Sequence, residues 1–305
     1  LELLRMDAPI ELIDLVYRMI ERDPQSRISS VRYIGAALED ILHGRTSRQP
    51  KDRRFDAPSD ETPRSAWHNL PMQATPFVGR GAEVNAINRL LDNPVNRLVT
   101  ILAPGGMGKT RLSLEVARHQ LEKFRDGVFF IELAPLSNPE DIVNAIAEAL
   151  SYQFHAGDAP PRQQIIDLLS RKTMMLVMDN FEHLLDGAKL IGDIIKASQH
   201  ITFLVSSRKR LGQSGETLFH LSGMESMIWR TLDEARQYGS VQLFLQSAQR
   251  VRPDFELTED NLVDVNRICQ LVQGMPLGII LSASWLGVLN PAEVVQEMDH
   301  SLDFL

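Results

Sequence analysis

Apolar runs of about five residues alternate with amphipathic helical patterns between Arg97 and Met224. The apolar runs cover residues 98–102, 128–133, 174–178, 201–205 and 217–221. The helical patterns between them cover residues 109–124, 139–150, 162–171 and 182–197. Strands that alternate with helices along a chain form a parallel sheet with helices on both faces. The pattern therefore predicts an α/β fold for this part of the chain.

The pattern changes after Ser226, beyond which no strand-like run occurs. Apolar residues at helical spacing predict helices over residues 232–251, 259–273, 276–288 and 291–300. The stretch from Ile268 to Ala292 has no charged residue, but Pro276 divides it and polar residues are scattered through it. Since a membrane span needs about 20 predominantly apolar residues, we predict a buried helical hairpin here instead. This part of the chain is expected to be a second, all-helical domain.

Two zones precede the α/β part. Helical spacing predicts a short α-helical remnant in residues 1–43, with one helix starting near Pro9 and another over about 30–42. Residues 44–74 contain four prolines, mixed charges and few aliphatic side chains, which is typical of a flexible linker. We therefore expect four parts, at residues 1–43, 44–74, 75–226 and 227–305.

Amino-acid composition and net charge exclude several classes of protein and partner. The 305-residue chain is 44% hydrophobic and 24% charged with a net charge of −8, as expected for a soluble globular protein. An overall basic footprint is therefore absent, and the five basic residues in 45–54 are interpreted as solvated charge, so we expect neither nucleic acid nor a membrane as a partner. The one cysteine, Cys269, excludes an internal disulfide and fits a cytoplasmic protein. Because residue 1 is leucine, we expect a piece of a longer protein.

The clearest chemical motif follows the run 98–102. Residues 103–110 read Ala-Pro-Gly-Gly-Met-Gly-Lys-Thr and lead directly into a helical pattern, the order typical of a phosphate-binding P-loop. Lys109 would supply positive charge to the phosphates, and Thr110 would offer a hydroxyl to Mg²⁺. Three glycines would let backbone N–H groups surround phosphate oxygens, namely Gly105, Gly106 and Gly108. The strict motif has glycine where Ala103 stands, and the alternative is a glycine turn that binds nothing.

An apolar run that ends in an acid follows about 70 residues later, where 174–178 leads into Asp179. A buried strand would place this carboxylate at the carboxyl edge of the sheet, beside the P-loop, where it would order Mg²⁺ through water. Asn180 stands where fast ATPases of this kind have a second acid, and an amide cannot act as a base. Glu182 and His183 are the candidate substitutes, and the alternative places both on an exposed helix face. We therefore expect slow hydrolysis.

The run 201–205 continues through two serines to Arg208. An arginine at this strand end would reach the terminal phosphate of a nucleotide and report its presence. The alternative is a surface arginine, with Lys209 and Arg210 beside it as solvated charge.

Together these motifs resemble the STAND branch of P-loop NTPases, specifically the NB-ARC-like modules of bacterial LuxR- and AfsR-type regulators. The resemblance covers residues 75–305. Beyond the P-loop, the matching segments in chain order are 77–80 (Phe-Val-Gly-Arg), 176–184 (Leu-Val-Met-Asp-Asn-Phe-Glu-His-Leu), 206–208 (Ser-Ser-Arg), 241–244 (Val-Gln-Leu-Phe) and 274–277 (Gly-Met-Pro-Leu). Gly81 departs from the pattern, because a glutamate often follows the Val-Gly-Arg stretch, and the winged-helix domain usual in such modules lies beyond this sequence.

The resemblance implies a site for ATP or ADP with Mg²⁺. It gives phosphate and Mg²⁺ contacts to Lys109 and Thr110, with Asp179 as the Walker B acid. It implies further that Arg208 is the sensor, that Val78 and Arg80 wrap the adenine, and that Pro276 packs near the nucleotide from the helical domain. Pro276 as a simple helix start and Val78 as a core residue remain the alternatives. Self-association in the ATP state is also implied, with an unknown signalling partner.

Residues 8–27 and 37–42 resemble the end of a protein kinase C-lobe. The glycine-rich loop, the strand lysine and the catalytic and magnesium aspartates of kinases are not in this sequence, so this piece cannot phosphorylate protein. The resemblance implies a parent that fuses a serine/threonine kinase to a STAND module. The alternative is an unrelated helical pair.

We therefore predict an ATP/ADP-binding signalling switch with slow ATP hydrolysis, within a serine/threonine kinase fusion protein. One alternative is the ATPase module of a LuxR/AfsR-type transcriptional regulator. Another is a parent that is chiefly a kinase, with the NTPase as its regulator. A third is an AAA+ motor, against which Asn180 and the segment 274–277 argue.

Overall fold

One sheet of five parallel strands organises the first part of the molecule. The computed structural model describes residues 67–157, 159–227 and 229–302. The strands are β1 (Leu98–Leu102), β2 (Val128–Glu132), β3 (Met174–Asp179), β4 (Ile201–Ser207) and β5 (Glu216–His220). They lie in the order β2-β3-β4-β1-β5, and every neighbouring pair is parallel. The predicted α/β fold is confirmed; the predicted helices of residues 1–43 lie outside the described residues.

Helices cover both faces of this sheet. The first face packs against α1 (Gly81–Asp92) and α2 (Lys109–His119), and the second against α3 (Ile142–Ala149), α4 (Pro161–Ser170) and α5 (Ala188–Ala197). Side chains alternate across the sheet because successive strand residues point to opposite faces. Val177 thus packs in the α1–α2 core, whereas Leu176 and Met178 pack in the α3–α5 core. This double burial explains why β3 has no polar residue before its last position.

The predicted helix over residues 182–197 is wrong in its first third. Two short 3₁₀ turns, Phe181–His183 and Leu185–Gly187, precede α5. The ring Nε2 of His183 lies 3.1 Å and 3.0 Å from the carbonyl oxygens of Leu133 and Leu136, which ties this segment to the loop after β2. Because tertiary contacts hold the chain here, the helix begins only at Ala188. Glu182 is therefore half-buried and not on an exposed helix face, whereas His183 is exposed on the first of these two turns.

The remainder of the described chain is helical, as predicted. Its helices are α6 (Leu232–Ala235), α7 (Gly239–Val251), α8 (Glu259–Leu271), α9 (Pro276–Ser284) and α10 (Pro291–Leu302). Their core includes Trp229, Phe244, Ile268 and Ile279. The sequence predicted one helix over 232–251, but the helix is interrupted at 236–238, where Tyr238 is extended and forms the N-cap of α7.

The uncharged stretch 268–292 forms the end of α8, a turn and α9. The turn uses two residues in the left-handed region, Gln273 (φ 51°) and Gly274 (φ 66°). The hairpin is buried on one side only, since Leu277, Leu281 and Val288 are exposed. Within the described ranges, no helix combines the length and apolar character needed to cross a bilayer.

Candidate functional site

The loop between β1 and α2 has the backbone shape of a phosphate cradle. Gly106 (φ 77°) and Gly108 (φ 81°) lie in the left-handed region, which glycine adopts at low cost. Lys109 begins α2, is only 7% exposed, and donates from Nζ to the carbonyl oxygens of Ala103 and Pro104, each at 2.9 Å. Burial lowers the pKa of Lys109. The lysine ammonium is thus held over the loop, at the positive end of a helix.

The alanine at the first position of the motif fits the fold. Ala103 is buried, and its side chain packs in the core between the sheet and α1–α2. Its N–H donates to the carbonyl oxygen of Ser207 at 3.3 Å, which extends the β1–β4 pairing by one step. Alanine in place of the usual glycine at residue 103 therefore adds a methyl group to this core. The glycines of the loop itself are unchanged.

Asp179 and Thr110 form the centre of the predicted metal site. The hydroxyl of Thr110 donates to both carboxylate oxygens of Asp179, at 2.9 Å and 2.8 Å. Asp179 is 3% exposed, and burial raises the pKa of its carboxyl group. Hydroxyl and carboxylate oxygens fit Mg²⁺, which usually takes one or two protein ligands and completes its shell with phosphate and water. The described residues contain no cluster of three or more His, Cys, Asp or Glu side chains that could hold a metal alone.

Ser206 is a member of this centre that sequence reasoning missed. Its hydroxyl donates to Asp179 Oδ1 and accepts from the N–H of Asn180 at 3.0 Å. The contact depends on β3 and β4 being neighbours in the sheet, with Met178 opposite Val205. A serine two residues before Arg208 is the sequence signal, but it becomes specific only once the strand order is known.

Arg208 lies against the loop and pairs with Glu182. A Cβ atom built on Gly105 would be 3.2 Å from an Nη atom of Arg208, so the guanidinium covers the loop backbone. Its Nε is 2.9 Å from Glu182 Oε1. The predicted sensor arginine and one of the two candidate bases are therefore in direct contact.

The helical part reaches the same loop through the start of α9. The N–H of Leu277 donates to the carbonyl oxygen of Gly106 at 3.1 Å. A Cβ atom on Gly106 would be 3.0 Å from the sulfur of Met275, and one on Gly108 would be 3.8 Å from Pro276 Cγ. Pro276 therefore lies beside the loop, as the resemblance implies, while it also begins a helix.

Val78 and Arg80 lie where the sheet connects to the helical part. Arg80 adopts the left-handed region (φ 60°) just before α1, and its Nη2 donates to the carbonyl oxygen of Ser222 at 3.0 Å. Its buried Nη1 has no hydrogen-bond partner among the described residues, and burial lowers the pKa of the guanidinium. Val78 is half-buried, and Gly79 touches the backbone of Gly239 at the start of α7. A role in adenine binding stays a prediction for both.

Comparison with known proteins agrees with this geometry. Residues 95–228 match the protein family described as "AAA domain". An uncharacterized protein of Mycobacterium tuberculosis is 31% identical over 232 residues, which cover 76% of this chain and 56% of that protein. A "Putative HTH-type transcriptional regulator" of the same species is 33% identical over 214 residues, 69% of this chain and 22% of that protein. The chain thus spans about half of the first relative and about a fifth of the second.

Solved structures show more distant likeness. The ORC2 protein of Aeropyrum pernix is 16% identical with a TM-score of 0.47, over 74% of this chain and 71% of that one. A STAND protein with a tetratricopeptide repeat sensor from Pyrococcus horikoshii is 17% identical with a TM-score of 0.46, over 78% and 34%. Strand order and loop geometry give this part of the chain a P-loop NTPase fold, and residues 95–228 are similar in sequence to the AAA domain family.

Proposed function

We propose that this chain is an ATP/ADP-binding signalling switch in which the nucleotide controls how the helical part sits on the P-loop. One observation carries the proposal: the loop is bonded directly to the start of α9, through Gly106 and Leu277. A ligand that reshapes the loop must therefore change a contact between sheet and helices.

The loop residues have separate tasks in nucleotide binding. The buried Lys109 would exchange its two carbonyl acceptors for phosphate oxygens, and the N-terminus of α2 would add backbone N–H donors. Thr110 and Asp179 would hold Mg²⁺, which when bound neutralises phosphate charge. Asp179 would thereby exchange the hydroxyl of Thr110 for a cation.

Two nucleotide states would differ at Arg208. Its guanidinium covers Gly105, and the side chain is 62% exposed, so there is room for it to turn from Glu182 toward a third phosphate. Only ATP offers that phosphate, and a conformational change needs such a difference in contacts between states. Arg208 would therefore bias the module toward one arrangement when ATP is bound.

Slow hydrolysis is part of the proposal. Asn180 follows the Walker B acid in the left-handed region (φ 62°), with its N–H bonded to Ser206. An amide accepts no proton, so the position usual for a base is inactive. A long-lived ATP state suits a switch, and a slow return to ADP resets it.

The transcriptional-regulator context has one specific support. The relative whose name includes an HTH-type transcriptional regulator is 33% identical to this chain, which covers only 22% of it. The module would there be one part of a larger regulator, and self-association in the ATP state would serve either context. The kinase fusion depends on residues 1–43, outside the described part of the chain, and stays a prediction.

The switch is tested by measuring a distance between sheet and helices. Spin labels at Lys189→Cys on α5 and Gln296→Cys on α10 occupy exposed positions. The native Cys269 does not compete for the label, because burial raises the pKa of its thiol to about 12. We expect the label distance to shift by several ångströms between Mg-ADP and a non-hydrolysable Mg-ATP analogue. An identical distance in both states would overturn the proposal.

The matched control is the same labelled pair with Lys109→Ala. This variant should show one distance whatever nucleotide is added, because the phosphates lose their main cationic contact. A nucleotide-dependent shift that survives Lys109→Ala would mean that the P-loop does not drive the motion.

A further inference from the structure

Glu182 has an unusual environment for a surface carboxylate. Its side chain is only 17% exposed, and Oε1 is paired with Arg208 at 2.9 Å. The second oxygen, Oε2, is buried and has no hydrogen-bond partner among the described residues. A buried carboxylate oxygen without a hydrogen-bond partner costs free energy, so folding stability does not account for this arrangement.

The charge of Glu182 acts on the phosphate-binding residues. It is the strongest charged influence on Lys109, where it favours the protonated amine. It also raises the pKa of Asp179. The geometry agrees, because Glu182 is paired with Arg208, whose guanidinium lies over Gly105 of the P-loop.

The other acids at this end of the sheet are poorly suited to activate water. Both oxygens of Asp179 accept hydrogen bonds, from Thr110 and Ser206. Glu132 ends β2 in register with Asp179, but it is exposed to solvent. Among the described acids at this end of the sheet, Glu182 alone combines a largely buried side chain, a carboxylate oxygen without a hydrogen-bond partner and a contact with the arginine that covers the P-loop.

We propose that Glu182 polarises the attacking water and that Arg208 restrains its carboxylate in an ion pair until a terminal phosphate draws the guanidinium away. This inference rests on the proposed nucleotide site and adds a base and its release to it. The ion pair then makes hydrolysis conditional: without a third phosphate, Arg208 stays on Glu182.

The reaction itself is an in-line transfer of the terminal phosphoryl group to water. The water oxygen forms a bond to the γ-phosphorus while the bond from phosphorus to the bridging oxygen breaks. The electron pair of that bond stays on ADP, whose charge Lys109 faces. Glu182 accepts one water proton and returns it to solvent, so no other co-reactant is needed.

The first test compares single-turnover ATP hydrolysis in Glu182→Gln and Glu132→Gln. The amide that Glu182→Gln introduces cannot take a proton, so we expect the rate to fall at least about 100-fold, the usual scale for a lost general base. The control removes a carboxylate from the same edge of the sheet and should hydrolyse ATP at the parent rate. Unchanged hydrolysis in Glu182→Gln, or a loss confined to Glu132→Gln, would overturn the inference.

The second test asks whether Arg208 restrains Glu182, and it does not require a measurement of hydrolysis. A double-mutant cycle of Glu182→Gln and Arg208→Ala is read out as affinity for ADP and for a non-hydrolysable ATP analogue, both with Mg²⁺. If Arg208 leaves Glu182 to meet the third phosphate, the two substitutions are non-additive by about threefold or more for the analogue. For ADP they should be additive. Equal coupling for both nucleotides would show a static ion pair and overturn the release step.

These outcomes separate the inference from the proposed function. Failure of the parent chain to bind either nucleotide would overturn both the proposed function and the inference about Glu182. Normal binding with a nucleotide-dependent label distance, but hydrolysis indifferent to Glu182→Gln, would leave the switch intact and remove Glu182 as its base.

Discussion

The backbone N–H of Leu277 donates to the carbonyl oxygen of Gly106 across 3.1 Å, which joins the helical part to the phosphate loop. The donor belongs to the first turn of α9, where backbone N–H groups have no partner within the helix. The acceptor belongs to a residue whose left-handed backbone shapes the loop. A single contact therefore serves both the end of a helix and the site.

Gly106→Ala should weaken this junction. An added Cβ would lie 3.0 Å from the sulfur of Met275 and 3.1 Å from Leu277 Cβ, in a backbone region that alanine adopts poorly. We expect a loss of stability of about 1–3 kcal/mol and a label distance that no longer responds to nucleotide. Thermal unfolding and the spin-label experiment measure the two effects.

The control for Gly106→Ala is Gly212→Ala. Gly212 has a similar φ of 72°, but no atom lies within 4 Å of an added Cβ. Gly212→Ala should therefore lower stability through backbone strain alone, and the change in label distance with nucleotide should remain. Equal effects of the two variants on stability and on the label distance would mean that the contact between Gly106 and α9 plays no role in the switch.

Lys109→Ala should abolish nucleotide binding with little unfolding. Hydrogen bonds to charged groups contribute about 1.5–3 kcal/mol each, so losing two or more should weaken affinity at least about 100-fold. Calorimetric titration with Mg-ATP and Mg-ADP measures the change, and the exposed Lys189→Ala is the control. Unchanged affinity in Lys109→Ala would contradict the P-loop assignment.

Arg208→Ala should weaken binding of an ATP analogue more than binding of ADP. The guanidinium lies over the loop, and a third phosphate would be its partner. We expect about a tenfold loss for the analogue and less than a twofold loss for ADP, on the scale of one charge-assisted contact. Lys209→Ala, one residue further on the surface, should change neither. Equal losses for both nucleotides would remove the sensor role.

Asp179→Asn should stabilise the nucleotide-free protein, and the effect should grow with pH. Burial raises the pKa of Asp179, so the folded state holds its proton more tightly than the unfolded state does. Stability therefore falls as pH rises from the usual aspartate range through the raised pKa. The variant removes this loss, so its advantage in melting temperature should be larger at pH 7 than at pH 4.

Although Asp179→Asn should raise stability, it should weaken Mg-dependent nucleotide binding. The exposed Asp186→Asn is the control and should show neither change. If the variant's higher melting temperature did not depend on pH, burial of the Asp179 charge would not be what destabilises the folded protein.

Most of the sheet could be predicted because burial on both faces makes strands continuous apolar runs. Residues 98–102 and 174–178 are such runs, and both are strands. The P-loop was equally predictable, since its glycines, lysine and threonine adjoin one another in sequence. Local patterns of this kind need no knowledge of neighbouring strands.

Other features depend on tertiary contacts and were missed. The first third of the helix predicted over 182–197 is replaced by turns tied to Leu133 and Leu136. The helix α1 (Gly81–Asp92) was also not predicted, although its buried Val84, Ile87 and Leu91 lie at helical spacing in the sequence itself. The pairing of Arg208 with Glu182 and of Ser206 with Asp179 joins residues on adjacent strand ends. Strand order decides such pairs, and a single sequence does not contain it.

The outer edge of β2 is covered by residues that precede the predicted domain start at Thr75. The N–H of Val128 donates to the carbonyl oxygen of Trp67 at 3.0 Å. The side chain of Asn69 both donates to and accepts from the backbone of Phe130, as a neighbouring strand would. A recombinant domain trimmed to begin at Thr75 would bare this edge, and an unpaired edge is a template for aggregation. Purification of a well-behaved, monodisperse domain thus depends on residues upstream of every nucleotide-binding motif.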